Sequence, residues 1–462
     1  MPKKYHIDVQ FAPNRYPTIG RSGIVDWGEG CLKCARCVKY DCVYDVYRNR
    51  SFSTDILGDT IDELCKSCFR CVQGCPKRLI HKTLNPEWES LGDDVYTPEI
   101  ISATWEQAQS GKIPVSGAGY GGSFSGPGFD SMWTDMSEIV RPTRDGIHGR
   151  EYISTVIDIG RRPSRLIFDE LGQLISEPLP SIRVPIPILF DAFPFGSISP
   201  AVLRGVAAAA AALDTLMWVP PAYVPELSKF APYLVPLLNE GRYDYEWIPA
   251  HRMVEIPDAK DAVEIMTALK RRRPDMLVSV RIPAVSYEHN VAKVLDYTRA
   301  GFDLIHYVAD ERGYEPGLQN GLHLKDMTKE VQAALLHEGL RDEITFMVSG
   351  GIAMAEHVIK SMLCGANLVG VDVPLLVALE CRVCRNCRDG GECPVGIAKV
   401  DSKWASRRII NLIGAWHNQL LEMMGAMGIR EARRLRGEQG RVLFREDLEN
   451  DTFAQLFARP NS

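Results

Sequence analysis

The 462-residue chain lacks several things, and each lack removes a class of protein. It has no long apolar run. The longest, Gly205 to Pro220, is an alanine stretch interrupted by Asp214 and preceded by Arg204, short of the ~20 residues a membrane helix needs. It has no excess of basic residues: 53 Lys and Arg stand against 59 Asp and Glu, a net charge of −6. A chain-wide nucleic-acid footprint is therefore missing. No apolar core follows the charged start Pro2-Lys3-Lys4-Tyr5-His6, so no secretory signal is read there. These lacks predict a cytosolic protein that does not span a membrane. The composition, 45% hydrophobic and 24% charged with a mean hydropathy of −0.11, is that of a folded chain with ample core.

Cysteine is what the sequence has. There are 13, and all but Cys364 fall into three tight groups. The first is Cys31, Cys34, Cys37 and Cys42. The second is Cys65, Cys68, Cys71 and Cys75, followed by Pro76. The third is Cys381, Cys384, Cys387 and Cys393, followed by Pro394. A disulfide framework belongs to short secreted chains, and structural zinc commonly uses paired CxxC rather than CxxCxxC triplets. The second group is C-x2-C-x2-C-x3-C-P, the run of two-cluster bacterial ferredoxins, in which the fourth cysteine ligates the other cluster. A short loop wraps three corners of an iron–sulfur cube, and the fourth corner comes from the opposite half. The expectation is one [4Fe–4S] cluster on Cys31, Cys34, Cys37 and Cys75, and another on Cys65, Cys68, Cys71 and Cys42. The third group predicts a third iron–sulfur cluster, [4Fe–4S] with four ligands or [3Fe–4S] with three.

The chain reads as an N-terminal arm (1–25), a ferredoxin-like module (26–90), a Gly-rich irregular connector (91–180), an α/β region (181–400) and C-terminal helices with a tail (401–462). The connector contains Gly117, Gly119 and Gly122 in a G-x-G-x-x-G match. Ser123-Phe124-Ser125-Gly126-Pro127 follows where a dinucleotide site needs a helix, so it reads as a loop. From residue 181 apolar runs alternate with helical stretches. The strand candidates are Val184–Asp191, Thr215–Val219, Tyr245–Pro249, Met253–Ile256, Met276–Arg281, Leu304–Val308, Thr345–Ser349 and Asn367–Val371, with helices over 199–213, 222–239, 259–272, 287–300, 325–339 and 354–364. Eight strands with helical crossovers predict an α/β fold of the (β/α)8 TIM-barrel type.

Two strand ends within that barrel predict a phosphate site. Ser349-Gly350-Gly351 closes one strand before a helix, and Gly370-Val371 closes the next. Barrels of this type bind phosphate between the loops of their last two strands, where helix N-terminal amides attract an oxyanion. With clusters on the same chain, FMN is the expected cofactor, because a flavin handles both one and two electrons. A plain strand-to-helix turn with a glycine cap is the alternative. Arg281, at the end of a middle strand, can clamp a carboxylate bidentately. His306 reads as a pocket residue or a satisfied core histidine, and Arg141, Arg144, His148 and Arg150 as a basic run.

The stretch from Gly350-Gly351 to Cys393-Pro394-Val395-Gly396-Ile397-Ala398 resembles the FMN-binding synthase domain of the glutamate synthase family. Ile188-Leu189-Phe190-Asp191-Ala192-Phe193-Pro194-Phe195-Gly196-Ser197 looks like the first barrel strand of that domain. With a ferredoxin module ahead of it, the chain resembles the short archaeal-type members. The resemblance implies an oxidoreductase acting on CH–NH2 donors, in which FMN reduces 2-iminoglutarate, formed from 2-oxoglutarate and ammonia. It also implies cofactor contacts at Gly196, Ser197, Ser349, Gly350, Gly351, Gly370 and Val371. The chain departs from the pattern at three places. Leu213–Pro221 stands where the family carries an NTGEGG-like loop, Ser279-Val280-Arg281 where it carries a strand-end lysine, and Tyr307–Gly313 where it carries SGHDGGTG. Residue 2 is Pro, not a nucleophilic cysteine, and no NAD(P) fingerprint is present. Electrons are then expected from ferredoxin or a redox partner subunit within a larger complex. The alternative is an electron-transfer subunit whose barrel is a degenerate scaffold.

Overall fold

The computed structural model describes the chain outside residues 1–4, 27–29, 51–59, 114–125, 136–152, 164–165, 177–178, 197, 239–245, 285–286, 319–320 and 458–462. The Gly-rich tract 116–122, the basic run at 141–150 and Ser197 lie outside the described residues. Two compact units result: Pro13–Ser102 with Arg382–Cys384, and Met1–Ala12 with Ala103–Cys381 and Arg385–Ser462. Among the described residues no helix is long and apolar enough to cross a membrane.

In the smaller unit, strand β1 (Ser22–Asp26) pairs antiparallel with β2 (Ile80–Leu84). Short helical turns at Cys37–Asp41 and Arg70–Gly74 carry the third cysteine of the first and second triplets. Val46, Tyr47, Cys71 and Ile80 are buried at the centre, with Ile24, Val38, Leu64 and Val72 packed around them.

The larger unit is an eight-stranded parallel barrel. Before it come β3 (Met132–Thr134), β4 (Ile157–Ile159) and β5 (Ile182–Val184). The barrel strands are β6 (Ile188–Phe190), β7 (Met217–Val219), β8 (Leu234–Pro236), β9 (Met253–Pro257), β10 (Leu277–Pro283), β11 (Leu304–Val308), β12 (Thr345–Ser349) and β13 (Leu368–Val371). The sheet runs β8-β7-β6-β13-β12-β11-β10-β9. The seam between β8 and β9 is spanned by the parallel bridge Leu237–Glu255, where Leu238 N–H donates to the Glu255 carbonyl (2.8 Å). The (β/α)8 expectation holds.

Three strand assignments change. The third barrel strand is Leu234–Pro236, inside a stretch read from sequence as helix. Ile248–Ala250 is a single helical turn rather than part of a strand. Pro225 and Pro232 break the helical pattern there, and tertiary pairing selects three apolar residues too short to show a period. Val184 belongs to β5, which pairs antiparallel with β4 outside the barrel, so the expected Val184–Asp191 strand is two strands joined at Pro185 and Pro187.

The alanine run is a packing surface. Helix Pro200–Ala212 starts at Ser199, whose side chain accepts from Val202 N–H. It packs on the long helix Ser402–Ala426, capped by Asp401. A Cβ at Gly205 would lie 2.8 Å from Ala405 Cβ and 2.9 Å from the Ser402 carbonyl. Small residues let the two backbones approach. The last strand, β14 (Val442–Phe444), pairs with β3.

Candidate functional site: paired cysteine cavities and a charged barrel interior

The cysteines of the smaller unit sort into two cavities. Cys31, Cys34, Cys37 and Cys75 line one, with Leu32, Arg36, Arg50 and Lys77 around them. Cys42, Cys65, Cys68 and Cys71 line the other, with Asp41, Tyr44, Lys66 and Lys82. Each cavity therefore receives three sulfurs from one triplet and one from the opposite group. Lys82 Nζ donates to Cys65 Sγ at 2.9 Å. Amide N–H groups of Lys33 and Leu79 point at Cys31 and Cys75 sulfurs, each at 3.4 Å. Burial pushes the Cys37 thiol pKa up, with the Arg50 guanidinium pulling the other way.

The three cysteine triplets share one backbone turn. Left-handed, non-glycine residues stand at Lys33 and Ala35 (φ 52° and 54°), at Ser67 and Phe69 (53° and 61°), and at Val383 and Arg385 (55° and 57°). In each triplet these are the second and fourth residues after the first cysteine. Each costs on the order of 1–2 kcal/mol in an L-residue, and such strain persists where a site demands it. The recurrence at 381–387 is independent of the spacing that first marked the third group.

In the larger unit, the end of that third group is tied to the C-terminal ends of the barrel strands. Glu311, in the loop after β11, accepts from Arg388 (2.8 Å) and pairs with Arg385 (3.4 Å). Both guanidiniums lie over the ring of Phe195, in the loop after β6, at 5.5 and 5.3 Å from its centroid. The same 309–313 loop covers Gly350 and Gly351. A Cβ on Gly350 (φ 101°) would sit 2.3 Å from the Asp310 carbonyl, and one on Gly351 (φ 67°) 2.6 Å from Gly313. The Gly-Gly pair is thus required by close loop packing. The helix that follows, Ala355–Cys364, has no side-chain cap at Met354. Gly370 faces the barrel interior, where a Cβ would meet Met347 (2.7 Å) and Ser349 (2.9 Å). Val371 is buried; its carbonyl accepts from Asp191 N–H (2.9 Å). Gly196 adopts φ 118° beside Ile198 and Leu376.

The barrel interior holds a hydrogen-bonded charge network. Successive strand residues of one parity face inward, which brings Ser279 and Arg281 of β10 together with Glu255 of β9, paired in register with Ser279. Arg281 binds both carboxylate oxygens of Asp191 (2.8 Å) and Glu255 Oε1 (3.0 Å). Glu255 Oε2 accepts from Ser279 Oγ (2.9 Å) and lies 2.9 Å from His306 Nδ1. His306 Nε2 lies 2.8 Å from Ser349 Oγ. Glu255, Ser279, His306 and Ser349 are all fully buried. His306 is therefore a satisfied interior histidine. Trp218 of β7 places its ring 5.1 Å from that of His306, and its Nε1 is buried with no hydrogen-bond partner among the described residues.

Burial opposes the charge on Asp191, but Arg281 and His306 hold its carboxyl below the usual carboxylate range. Asp372, at the end of β13, behaves in the opposite way. Burial, and then the charge on Asp191, push it up to about 7. Its Oδ1 accepts from Val373 N–H (2.6 Å) and caps helix Val373–Ala378. Sequence reasoning picked out Arg281 but gave no role to Asp191 or Glu255. The signal for Glu255 was a lone acid inside an apolar strand run, Met253-Val254-Glu255-Ile256, which only buried pairing can accommodate.

An eight-stranded α/β barrel carried on one chain with a module of two four-cysteine cavities makes barrel oxidoreductases the class to compare. The conserved region of glutamate synthase matches residues 247–430. The archaeal-type glutamate synthase (NADPH) of Dehalococcoides mccartyi is 25% identical, over 88% of this chain and 92% of that protein. The archaeal glutamate synthase (NADPH) of Archaeoglobus fulgidus is 27% identical, over 91% of this chain and 93% of its own. Mandelate oxidase with benzoyl-formic acid covers 66% of this chain and 97% of its own at 15% identity, with a TM-score of 0.39. The chain is thus similar to the glutamate synthase family, over residues 247–430 by the family's conserved region and over most of its length by these relatives.

Proposed function

We propose that the protein is an iron–sulfur flavoprotein of glutamate synthase type, which passes electrons from ferredoxin-type clusters to FMN and on to an imine of a 2-oxo acid, making glutamate from 2-oxoglutarate and ammonia. The observation that carries this reading is the crossed sorting of the cysteines, Cys31, Cys34, Cys37 with Cys75 and Cys65, Cys68, Cys71 with Cys42. That sorting is the ligand pattern of a two-cluster ferredoxin. The third quartet, Cys381, Cys384, Cys387 and Cys393, repeats the same backbone turn and holds a third cluster in this reading.

The residues fit FMN on two observations. The orphaned Trp218 indole N–H offers a donor inside the barrel, and the helix after Gly350-Gly351 starts without a side-chain cap. Its amides would meet the phosphate, with Ser349, Gly350, Gly351, Gly370, Val371, Gly196 and Ser197 as the contact set. A bound flavin supplies exchange between one-electron clusters and a two-electron substrate. The chain's own residues supply orientation and protons. Asp372, with its carboxyl pushed up to about 7, can hold a proton at neutral pH. Arg281 would orient a substrate carboxylate, in competition with Asp191 and Glu255.

That competition favours a second reading, in which the barrel is a scaffold and the protein transfers electrons within a larger complex. Anaerobic purification with iron, sulfide and flavin analysis tests the first. Twelve or so iron atoms and one FMN per chain are expected, three cubes of about four irons each, with 2-oxoglutarate- and ammonia-dependent oxidation of reduced viologen. Full cofactors without turnover would establish the second reading instead. Absence of both iron and flavin would overturn both.

A further inference from the structure

The larger unit carries an apolar hairpin on its surface. Strands β4 and β5 form a ribbon at the N-terminal end of the barrel. Arg161 anchors it there, donating to the carbonyls of Thr298 (2.7 Å) and Phe302 (3.1 Å) and to Glu343 (2.9 Å). The hairpin lies in the connection between the two strands, where Phe168 bridges Leu174 antiparallel. Asp169 closes its turn: Oδ1 accepts from the N–H groups of Leu171 (2.9 Å) and Gln173 (2.7 Å), and Gly172 takes φ 76°. Leu171 is 84% exposed, Ile175 59%, Leu166 58% and Phe168 54%, with Ile167 and Leu174 exposed beside them. Neither side of the hairpin, 166–168 or 174–176, holds a charged residue or a proline.

A lone two-stranded hairpin is marginal in water without a covering layer, and edge strands are normally blunted by charge or proline. This edge is open. Ile175 N–H donates to the Ile167 carbonyl (2.7 Å), and Asp169 N–H to the Gln173 carbonyl (2.8 Å). In an antiparallel ladder that pattern turns the Phe168 N–H and carbonyl outward. With a large apolar side chain offering on the order of 150 Å², the six residues expose about 500 Å², a patch of the size that marks protein contacts. Charge argues against a membrane as the cover: the turn presents Asp169 and Glu170, which anionic headgroups repel.

We infer that the cover is a second copy of this chain, the two Phe168 edges pairing antiparallel across a twofold axis. An isologous contact needs one surface that complements itself, and this edge does. Pairing about Phe168 sets Ile167 opposite Asp169 and Leu166 opposite Glu170, so no acid meets an acid. Two such patches bring together up to about 1,000 Å², where specific interfaces begin. The ribbon sits at the other end of the barrel from Gly350-Gly351, so pairing leaves the C-terminal ends of the strands open. The inference is independent of what the cysteines hold.

The test is sedimentation velocity of the anaerobically purified full-length protein at micromolar concentration. The parent is expected at an even multiple of 51.6 kDa, and high salt should not dissociate it, because the contact is apolar. Phe168→Pro removes the outward N–H, and Ile167→Lys/Ile175→Lys puts charge on the hairpin. Each should halve the particle mass while far-UV circular dichroism and the melting temperature stay as in the parent. Photo-crosslinking decides the matter where a variant fails to fold: p-benzoylphenylalanine at position 168, irradiated before purification, should join two copies within residues 166–176 of each. A parent of 51.6 kDa, a particle mass unmoved by both variants in folded protein, or a crosslink from position 168 only to lipid or to a different protein would each overturn the inference.

Discussion

Arg281 holds both carboxylate oxygens of Asp191 at 2.8 Å inside the barrel, where the Asp191 side chain is 2% exposed. A buried pair of this kind adds little relative to apolar residues, but breaking it strands a charge. Arg281→Met should destabilise the barrel by roughly 3–5 kcal/mol, and Asp191→Asn combined with it should recover part of that loss. Urea unfolding of the single and double variants measures both.

Asp372 gives stability a pH dependence of defined sign. In the unfolded chain its carboxyl ionises near pH 4 (roughly 3.9), whereas in the fold it keeps its proton to about 7. The folded state binds the extra proton, so this contribution to unfolding free energy falls as pH rises through that window and levels off above it. Asp372→Asn keeps the Oδ1 cap to Val373 and removes the slope. Its stability relative to the parent should therefore grow between pH 5 and about 7, then hold constant. Urea midpoints across that range check it, and a flat difference would contradict the assignment.

Gly350 is under a backbone constraint as well as a steric one. Its φ of 101° is outside the range L-residues favour, and a Cβ would sit 2.3 Å from the Asp310 carbonyl. Gly350→Ala should cost at least about 2 kcal/mol. It should also displace the 309–313 loop whose Glu311 holds Arg388. Thermal melting and proteolytic nicking of that loop report the two effects separately.

Lys82 sets a positive charge 2.9 Å from Cys65 Sγ. A cation there favours the reduced, more negative form of a cluster bound at that cavity, since charge and hydrogen bonds to the sulfurs tune such potentials. Lys82→Met should lower the potential of one cluster by tens of millivolts and leave the others unmoved. A redox titration followed by electron paramagnetic resonance reads this directly.

The sequence by itself determined how the cysteines of the small unit group and the class of the large one. Cysteine spacing is a local property. The C-x2-C-x2-C run with a distant fourth cysteine is a known motif, so the two crossed cysteine groups at 31–75 that line the cavities were legible before any coordinates. The barrel was legible for the same kind of reason, because strands such as Leu304–Val308 and Thr345–Ser349 are apolar runs bounded by turn residues, and buried parallel strands read that way. Leu234–Pro236 was not legible. Three apolar residues carry no period, and only pairing with Met217–Val219 makes them a strand.

Tertiary structure alone decided what occupies the barrel interior. Asp191, Glu255, Arg281, His306 and Ser349 lie as much as 158 residues apart in the chain, a span read from their numbering. Nothing in their local sequence says that they share hydrogen bonds. Burial decides it: a charge withdrawn from water must find its complement inside, and barrel closure fixes which strands can offer one. The glycines divide in the same way. Sequence placed Gly350-Gly351 at a strand end, but only the close approach of Asp310 and Gly313 shows that a side chain there has nowhere to go.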